Sequence, residues 1–316
     1  MVSAMLLGCA GGLAGCKIAR PIVLPVVGSM GEVDGQWDDL DIYLIDPDGG
    51  GEAVRVTDTP ELMETDPDLN RDRTELVYVV REVTPDGLPV LGRKAAPMPS
   101  EIVVSQTDGF GHRVIHQSDS MCFTPVWSHD GKRIAFTEMD DEWRLEVKII
   151  NADGSGLQTL GYGSGPSWRK DDGALFYSSI DRYSATEGNL QLRELGNGVI
   201  HELGLPGTGH TNLRSGVSVA YSSTPYSRRN ETIWLLSANG GQFRLTDPAA
   251  HEHDLQPVFF DMEGDLVFTR HNDEHGTYQL MIIHRATEDR VAAPIAQPTP
   301  FCITRGGLWV AKYYPR

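Results

Sequence analysis

Short apolar runs, each closed by a turn containing glycine, recur along most of this chain. Ile134-Ala135-Phe136, Leu175-Phe176-Tyr177 and Leu266-Val267-Phe268 follow Asp-Gly or Gly turns, and Val217-Ser218-Val219-Ala220-Tyr221 follows Gly216. A second set precedes turns: Ile42-Tyr43-Leu44-Ile45 before Asp46-Pro47-Asp48-Gly49, Lys148-Ile149-Ile150 before Asn151-Ala152-Asp153-Gly154, and Ile233-Trp234-Leu235-Leu236 before Ser237-Ala238-Asn239-Gly240. Runs this short between Gly-rich turns read as strands, because a helix needs a longer apolar period. Asp-Gly and Asn-Gly supply the positive φ that a tight hairpin requires, so the second set reads as hairpins.

The strands belong to a repeat. Thr124-Pro125-Val126-Trp127-Ser128-His129-Asp130-Gly131 recurs as Gly165-Pro166-Ser167-Trp168 with Asp172-Gly173, and as Gln256-Pro257-Val258-Phe259 with Gly264. Weaker copies start at Asp66-Pro67 and Thr299-Pro300, and a degenerate copy has Thr211 in place of the proline. The marker positions are 67, 125, 166, 211, 257 and 300, so only the first step is long. Four short strands per unit of about 40–45 residues is the signature of a β-propeller blade.

With strands labelled A to D outward from the axis, Pro300 to Tyr313 supplies only A and B, and residues 40–57 supply only a C–D hairpin. The expected fold is therefore all-β: a six-bladed β-propeller over residues 40–316, the last blade shared between the N-terminal C–D hairpin and the C-terminal A–B strands. Such closure leaves no open sheet edge at the seam. Trp127, Trp168 and Phe259 occupy one repeat position, which assigns them to packing between blades. The long first step places an insert at residues 84–100, between strands B and C of blade 1.

These motifs resemble the TolB-type propeller, whose repeat reads approximately Asp-x-x-Pro-x-Trp-Ser-Pro-Asp-Gly-x-x-Ile-Ala-Phe and ends in Arg-Leu-Thr. Phe243-Arg244-Leu245-Thr246 and Val54-Arg55-Val56-Thr57 match that ending. The resemblance spans about residues 40–316. It implies partners such as envelope proteins or lipoproteins, and the scaffold alone does not specify an activity. TolB proteins carry a further N-terminal domain, for which this chain has no matching segment, so a direct role in the Tol system does not follow.

Residues 1–16 form a charge-free run rich in Leu, Ala and Gly, shorter than the roughly 20 apolar residues of a spanning helix. It resembles the end of a signal peptide. Leu13-Ala14-Gly15-Cys16 matches a bacterial lipobox, in which Cys16 is acylated, although no basic residue precedes Lys17. The expected organisation is a signal peptide at 1–16, a tether at 17–39, and an exported protein, lipid-anchored at the outer membrane or in the periplasm. Cys122 and Cys302 then remain; their repeat positions lie two blades apart, so free and largely buried thiols are expected.

The charge is acidic, with 44 Asp+Glu against 27 Lys+Arg among 316 residues and a net charge of -17. That disfavours nucleic acid. The excess is local: residues 31–75 hold 15 acidic side chains and only Arg55, Arg71 and Arg73, which predicts salt-sensitive contact with a basic partner.

Alternating strand direction puts the B–C and D–A loops on one face. That face carries the insert with Arg93 and Lys94, then His210, Arg228, Arg229 and the run His251-Glu252-His253-Asp254. Long loops on a rigid scaffold are where binding resides, so Arg93, Lys94, Arg228 and Arg229 are the expected interaction face. His210, His251 and His253 are the candidate metal ligands, set against the plainer reading of solvated loop histidines. The Asp-Gly turns lack a full calcium loop. Gly161-Tyr162-Gly163-Ser164-Gly165 has its serine out of place for a nucleophile elbow. No catalytic residue and no cofactor is implied.

Two functions follow as expectations. The first is a non-catalytic, monomeric scaffold of the cell envelope, touching the membrane through its lipid anchor alone. The second is polysaccharide binding or metal-assisted lyase chemistry at the channel mouth, since oligogalacturonate lyases resemble the same propeller.

Overall fold

The computed structural model describes residues 24–29, 40–45, 54–59, 62–82, 99–179, 188–206, 211–214, 218–223, 230–237, 240–259, 266–274, 277–283 and 293–294. Three strands come first: β1 (Leu24–Ser29), β2 (Leu40–Ile45) and β3 (Val54–Arg55). Five four-stranded blades follow. Blade 1 is β4 (Leu62–Leu69), β5 (Glu75–Glu82), β6 (Ser100–Gln106) and β7 (Arg113–Ser118). Blade 2 is β8 (Cys122–Trp127), β9 (Arg133–Met139), β10 (Leu145–Asn151) and β11 (Gln158–Tyr162). Blade 3 is β12 (Ser164–Trp168), β13 (Ala174–Ser178), β14 (Asn189–Glu194) and β15 (Ile200–Pro206). Blade 4 is β16 (Thr211–Arg214), β17 (Ser218–Ser223), β18 (Thr232–Ser237) and β19 (Gln242–Arg244). Blade 5 is β20 (Glu252–Phe259), β21 (Leu266–Asn272), β22 (Thr277–Ile283) and β23 (Ala293–Pro294). Within each blade the strands pair in chain order and antiparallel. No helix occurs among the described residues, and hence none long and apolar enough to cross a membrane.

The repeat proline leaves the same mark in four blades. Proline has no N–H to give to the ladder, so the chain must bulge around it. The A–B register shifts between Thr65 and Asp68, Phe123 and Val126, Ser164 and Ser167, and Leu255 and Val258, each interval enclosing the proline. Just before it, Asp66 (φ 56°), Thr124 (φ 48°) and Gly165 (φ 64°) turn left-handed. Asp66 and Thr124 pay steric strain for this that Gly165 avoids.

Near-continuous apolar runs follow from burial on both faces of each blade, since alternate residues point to opposite neighbours. On β5, Val77 and Val79 pack towards blade 2 with Ile102, Ile134, Phe136 and Trp127. Leu76, Tyr78 and Val80 point the other way, against Ile42 of β2. Trp127, Trp168 and Phe259 each lie in or against a cluster between adjacent blades, as the repeat position implies. Trp168 also donates its indole N–H to the Val126 carbonyl at 3.1 Å.

Backbone contacts join blades at the tight turns. A Cβ at Gly109 would lie 2.5 Å from the Val56 carbonyl oxygen, and one at Gly154 would lie 3.0 Å from that of Ile115. These C–D turns need glycine both for positive φ and for this approach to the preceding blade. Asp172 accepts the backbone N–H groups of His129 and Asp130 at 2.9 Å each, which puts an Asp-Gly turn to use as an inter-blade clasp.

The seam differs from expectation at one point. Residues 17–39 were assigned to a tether, yet β1 lies within them and pairs along its whole length with β2, from Leu24 opposite Ile45 to Ser29 opposite Leu40. β3 takes the other edge of β2, and a single parallel pairing of Leu40 with Met63 links β2 to blade 1. An open β2 edge offers unpaired N–H and C=O groups; β1 satisfies them, taking the place beside the C strand that the sequence reading gives to the C-terminal B strand. The C-terminal A–B strands, the signal segment with Cys16, and the insert after Glu82 lie outside the described residues.

Candidate functional site

The face bearing the B–C and D–A loops holds a histidine–carboxylate cluster where blades 4 and 5 meet. His253 sits near the start of β20; its Nε2 lies 2.8 Å from Asp273 Oδ2, and its Nδ1 lies 3.6 Å from Glu231 Oε2. The second oxygen of Asp273 lies 3.1 Å from His271 Nδ1. Cross-strand pairing of His253 with His271 sets the two rings 6.3 Å apart. Glu231 comes from the B–C connection of blade 4, and Asp273 from the B–C turn of blade 5. The Glu231 carboxylate raises the His253 pKa above its ordinary value; burial opposes this and Asp273 adds to it.

Next to this cluster, Arg270 makes two bonds to the buried Asp254, from Nε at 2.7 Å and Nη2 at 2.9 Å. A desolvated fork of this kind fixes the β20–β21 register as well as neutralising the acid.

Of the sequence-derived candidates, His253 is therefore in a cluster. His251 is exposed, with φ 71°, and contributes its backbone carbonyl to the Asp273 N–H at 2.8 Å. His210, Arg93, Lys94, Arg228 and Arg229 lie outside the described residues. His271, Asp273 and Glu231 were not singled out from sequence. The pairing of β20 with β21 is the signal that would have found His271, because it stands directly opposite His253.

A related polar knot closes each of two other blade junctions. Between blades 1 and 2, Glu138 accepts hydrogen bonds from Ser118 Oγ at 2.8 Å and Lys148 Nζ at 3.1 Å, and its Oε2 lies 2.8 Å from His116 Nε2. Burial pushes the Glu138 pKa up, but these three partners outweigh it and hold the carboxyl at about 2. The free, buried Cys122 is beside it, its thiol pushed up to about 12 by burial. His116, Cys122 and Glu138 bring potential ligand atoms within 4.8 Å of one another. The carboxylate is already paired with Lys148, so this set fits an internal ion pair better than a cation.

Between the N-terminal hairpin and blade 1, Thr57 Oγ1 donates to Glu64 Oε2 at 3.0 Å and accepts the Ile42 N–H at 2.8 Å. Thr59 Oγ1 donates to the other Glu64 oxygen, and Asp41 pairs with Arg55. Glu64 is 3% exposed; burial raises its pKa to about 7, the threonines oppose this, and the nearby Asp41 adds to it. Glu64, Cys122 and Asp254 all stand three residues before the repeat proline, the Asp position of the TolB-type motif.

No family model matches the chain. Over 88 residues it is 27% identical to the Tol-Pal system protein TolB of Pasteurella multocida, a match covering 28% of this chain and 17% of that protein. Among solved structures, TolB from Acinetobacter baumannii superposes with a TM-score of 0.67 at 16% identity, covering 90% of this chain and 65% of that one. This chain thus spans less than two thirds of that relative. Oligogalacturonate lyase from Vibrio parahaemolyticus superposes with a TM-score of 0.54 at 15% identity, covering 77% of this chain and 71% of that one. By sequence pattern, strand topology and superposition, the chain has the all-β, TolB-type β-propeller fold.

Proposed function

We propose that this protein is a non-catalytic interaction scaffold of the bacterial cell envelope, exported and held to a membrane through acylated Cys16. It engages envelope proteins or lipoproteins through the face bearing the B–C and D–A loops. The observation that carries this reading is how that face is built. The connections spanning residues 83–99, 179–188 and 224–231 all leave from it, while the A–B turns of blades 1–3 on the opposite face are tight, and those of blades 2 and 3 are clasped to each other. The described ionisable groups near its blade junctions are paired with one another, which suits a rigid docking surface. The fold likeness to TolB supports the same reading. Cross-linking in whole cells tests it, comparing wild type with Arg93→Glu/Lys94→Glu and Arg228→Glu/Arg229→Glu. Loss of a cross-linked envelope partner is expected; an identical partner list for all three proteins would retire the proposed face.

A second reading, a glycan-binding protein or metal-assisted lyase, is favoured by the His253–Asp273–His271 cluster and by the lyase likeness. It is the weaker of the two, because both ring nitrogens of His253 already face carboxylates. Saturable Mn2+ uptake lost in His253→Ala, with cleavage of polygalacturonate, would turn the assignment towards it.

A further inference from the structure

Among the described residues, the exposed aromatic side chains of the proposed docking face are concentrated in blade 2. Trp143, on the β9–β10 turn, is 38% exposed, and Tyr162, at the end of β11, is 45% exposed. The other large apolar side chains exposed among the described residues are Val54, Phe110, Val114, Leu157, Val199 and Ile200, and these lie at or beside C–D turns towards the opposite face.

The turn that presents Trp143 is tightly built. Asp140 Oδ1 accepts the backbone N–H groups of Glu142 at 2.8 Å and Arg144 at 2.9 Å, while the Asp140 carbonyl accepts the Trp143 N–H at 3.0 Å. Trp143 is held at φ 63°, an outlying conformation for a bulky aromatic residue. Such strain persists only where the surroundings impose it, and it concentrates at functional positions.

The charges around the ring are complementary to a cation. Arg144 lies 4.9 Å from the Tyr162 ring centroid, which shows this aromatic surface already accepting a guanidinium. That arginine is spoken for, bonded to Asp140 at 2.8 Å and Glu142 at 3.3 Å. Asp141 is exposed and makes no ion pair among the described residues. Asp140, Asp141 and Glu142 against one arginine leave the turn acidic beside an exposed, electron-rich indole.

We infer that Trp143, Asp141 and Tyr162 form an aromatic–acidic ledge that docks a Lys- or Arg-bearing segment of a partner protein. A cationic side chain lies over the Trp143 ring and pairs with Asp141, and aromatic anchors of this kind dominate interface energetics. The inference rests on the docking-face reading and supplies the chemistry of the partner.

The test uses the full chain and an acetylated hexa-arginine peptide. The readout is the Trp143 indole N–H resonance, identified by its loss in Trp143→Phe. At about 50 mM salt the resonance is expected to shift saturably, and to lose most of that response at about 300 mM. Peptide affinity should fall about five-fold in Trp143→Ala, less in Asp141→Asn, and be largely kept in Trp143→Phe. An indole unmoved by hexa-arginine, moved equally by hexa-glutamate, or moved only by cellohexaose would overturn the inference. The two readings fail separately. A responding indole with no cross-linked partner in cells retires the scaffold and keeps the ledge; a cross-linked partner with a silent indole retires the ledge alone.

Discussion

Asp254 has no exposed surface, and Arg270 is the cation that meets its charge, with two hydrogen bonds. Replacing Arg270 by Met keeps the bulk and leaves the acid buried and unpaired, which costs about 3–5 kcal/mol. Urea denaturation should show that loss, and Asp254→Asn combined with Arg270→Met should recover much of it. His253 makes a pH-dependent contribution. Its folded pKa lies above the ordinary value of 6.5, so its pairing with Glu231 and Asp273 stabilises the fold fully below about pH 6.5 and is lost as pH rises through the folded value. In His253→Gln that slope should disappear from melting curves taken between about pH 6 and pH 9.

Strands and junctions show how far local pattern could be read. The run Asp66-Pro67-Asp68 identifies an inner strand from sequence, and the register shift beside it follows from the missing proline N–H. The same motif position holds Glu64, whose raised pKa needs the packed junction with Asp41 and the hairpin threonines. No sequence window contains that environment, because Asp41 and Glu64 come from different strands. The sign of the consequence is opposite to that of an ordinary salt-bridged acid. An unfolded Glu ionises near 4.5 and the folded one near 7, so stability falls as pH rises from about 4.5 to about 7, by up to about 3 kcal/mol. Glu64→Gln should flatten that fall and exceed wild type in stability at pH 8. The groups facing Glu64 are Asp41 on β2, Thr57 and Thr59 after β3, and Tyr78 on β5, with Asp41 itself paired to Arg55. The β1 strand is the clearest case that pattern missed. Leu24-Pro25-Val26-Val27-Gly28-Ser29 carries a proline, a glycine and no turn signal of the repeat, so only the open edge of β2 reveals its place.

At the scale of the whole molecule, the outstanding question is how the ring closes. A plain tether could be removed without consequence, whereas β1 covers an edge of β2. Deleting residues 1–39 is therefore expected to lower the melting temperature by several degrees, about 1–2 kcal/mol in a protein of this size. Because β1 already occupies the β2 edge opposite β3, the C-terminal segment can complete the shared blade only beyond β1; deleting residues 301–316 tests that proposal, and unchanged melting there would contradict it. The repeat spacing, the A-to-D strand order, the inter-blade place of the tryptophans and the buried state of Cys122 were all legible in the chain, because each depends on periods of two residues or of one blade. The Glu64, Glu138 and His253 knots were not, nor was the pairing of β1 or the exposure of Trp143 and Tyr162. Each of those depends on side chains or strand edges from separate strands meeting in space, and burial, strain and pKa values arise from that meeting alone.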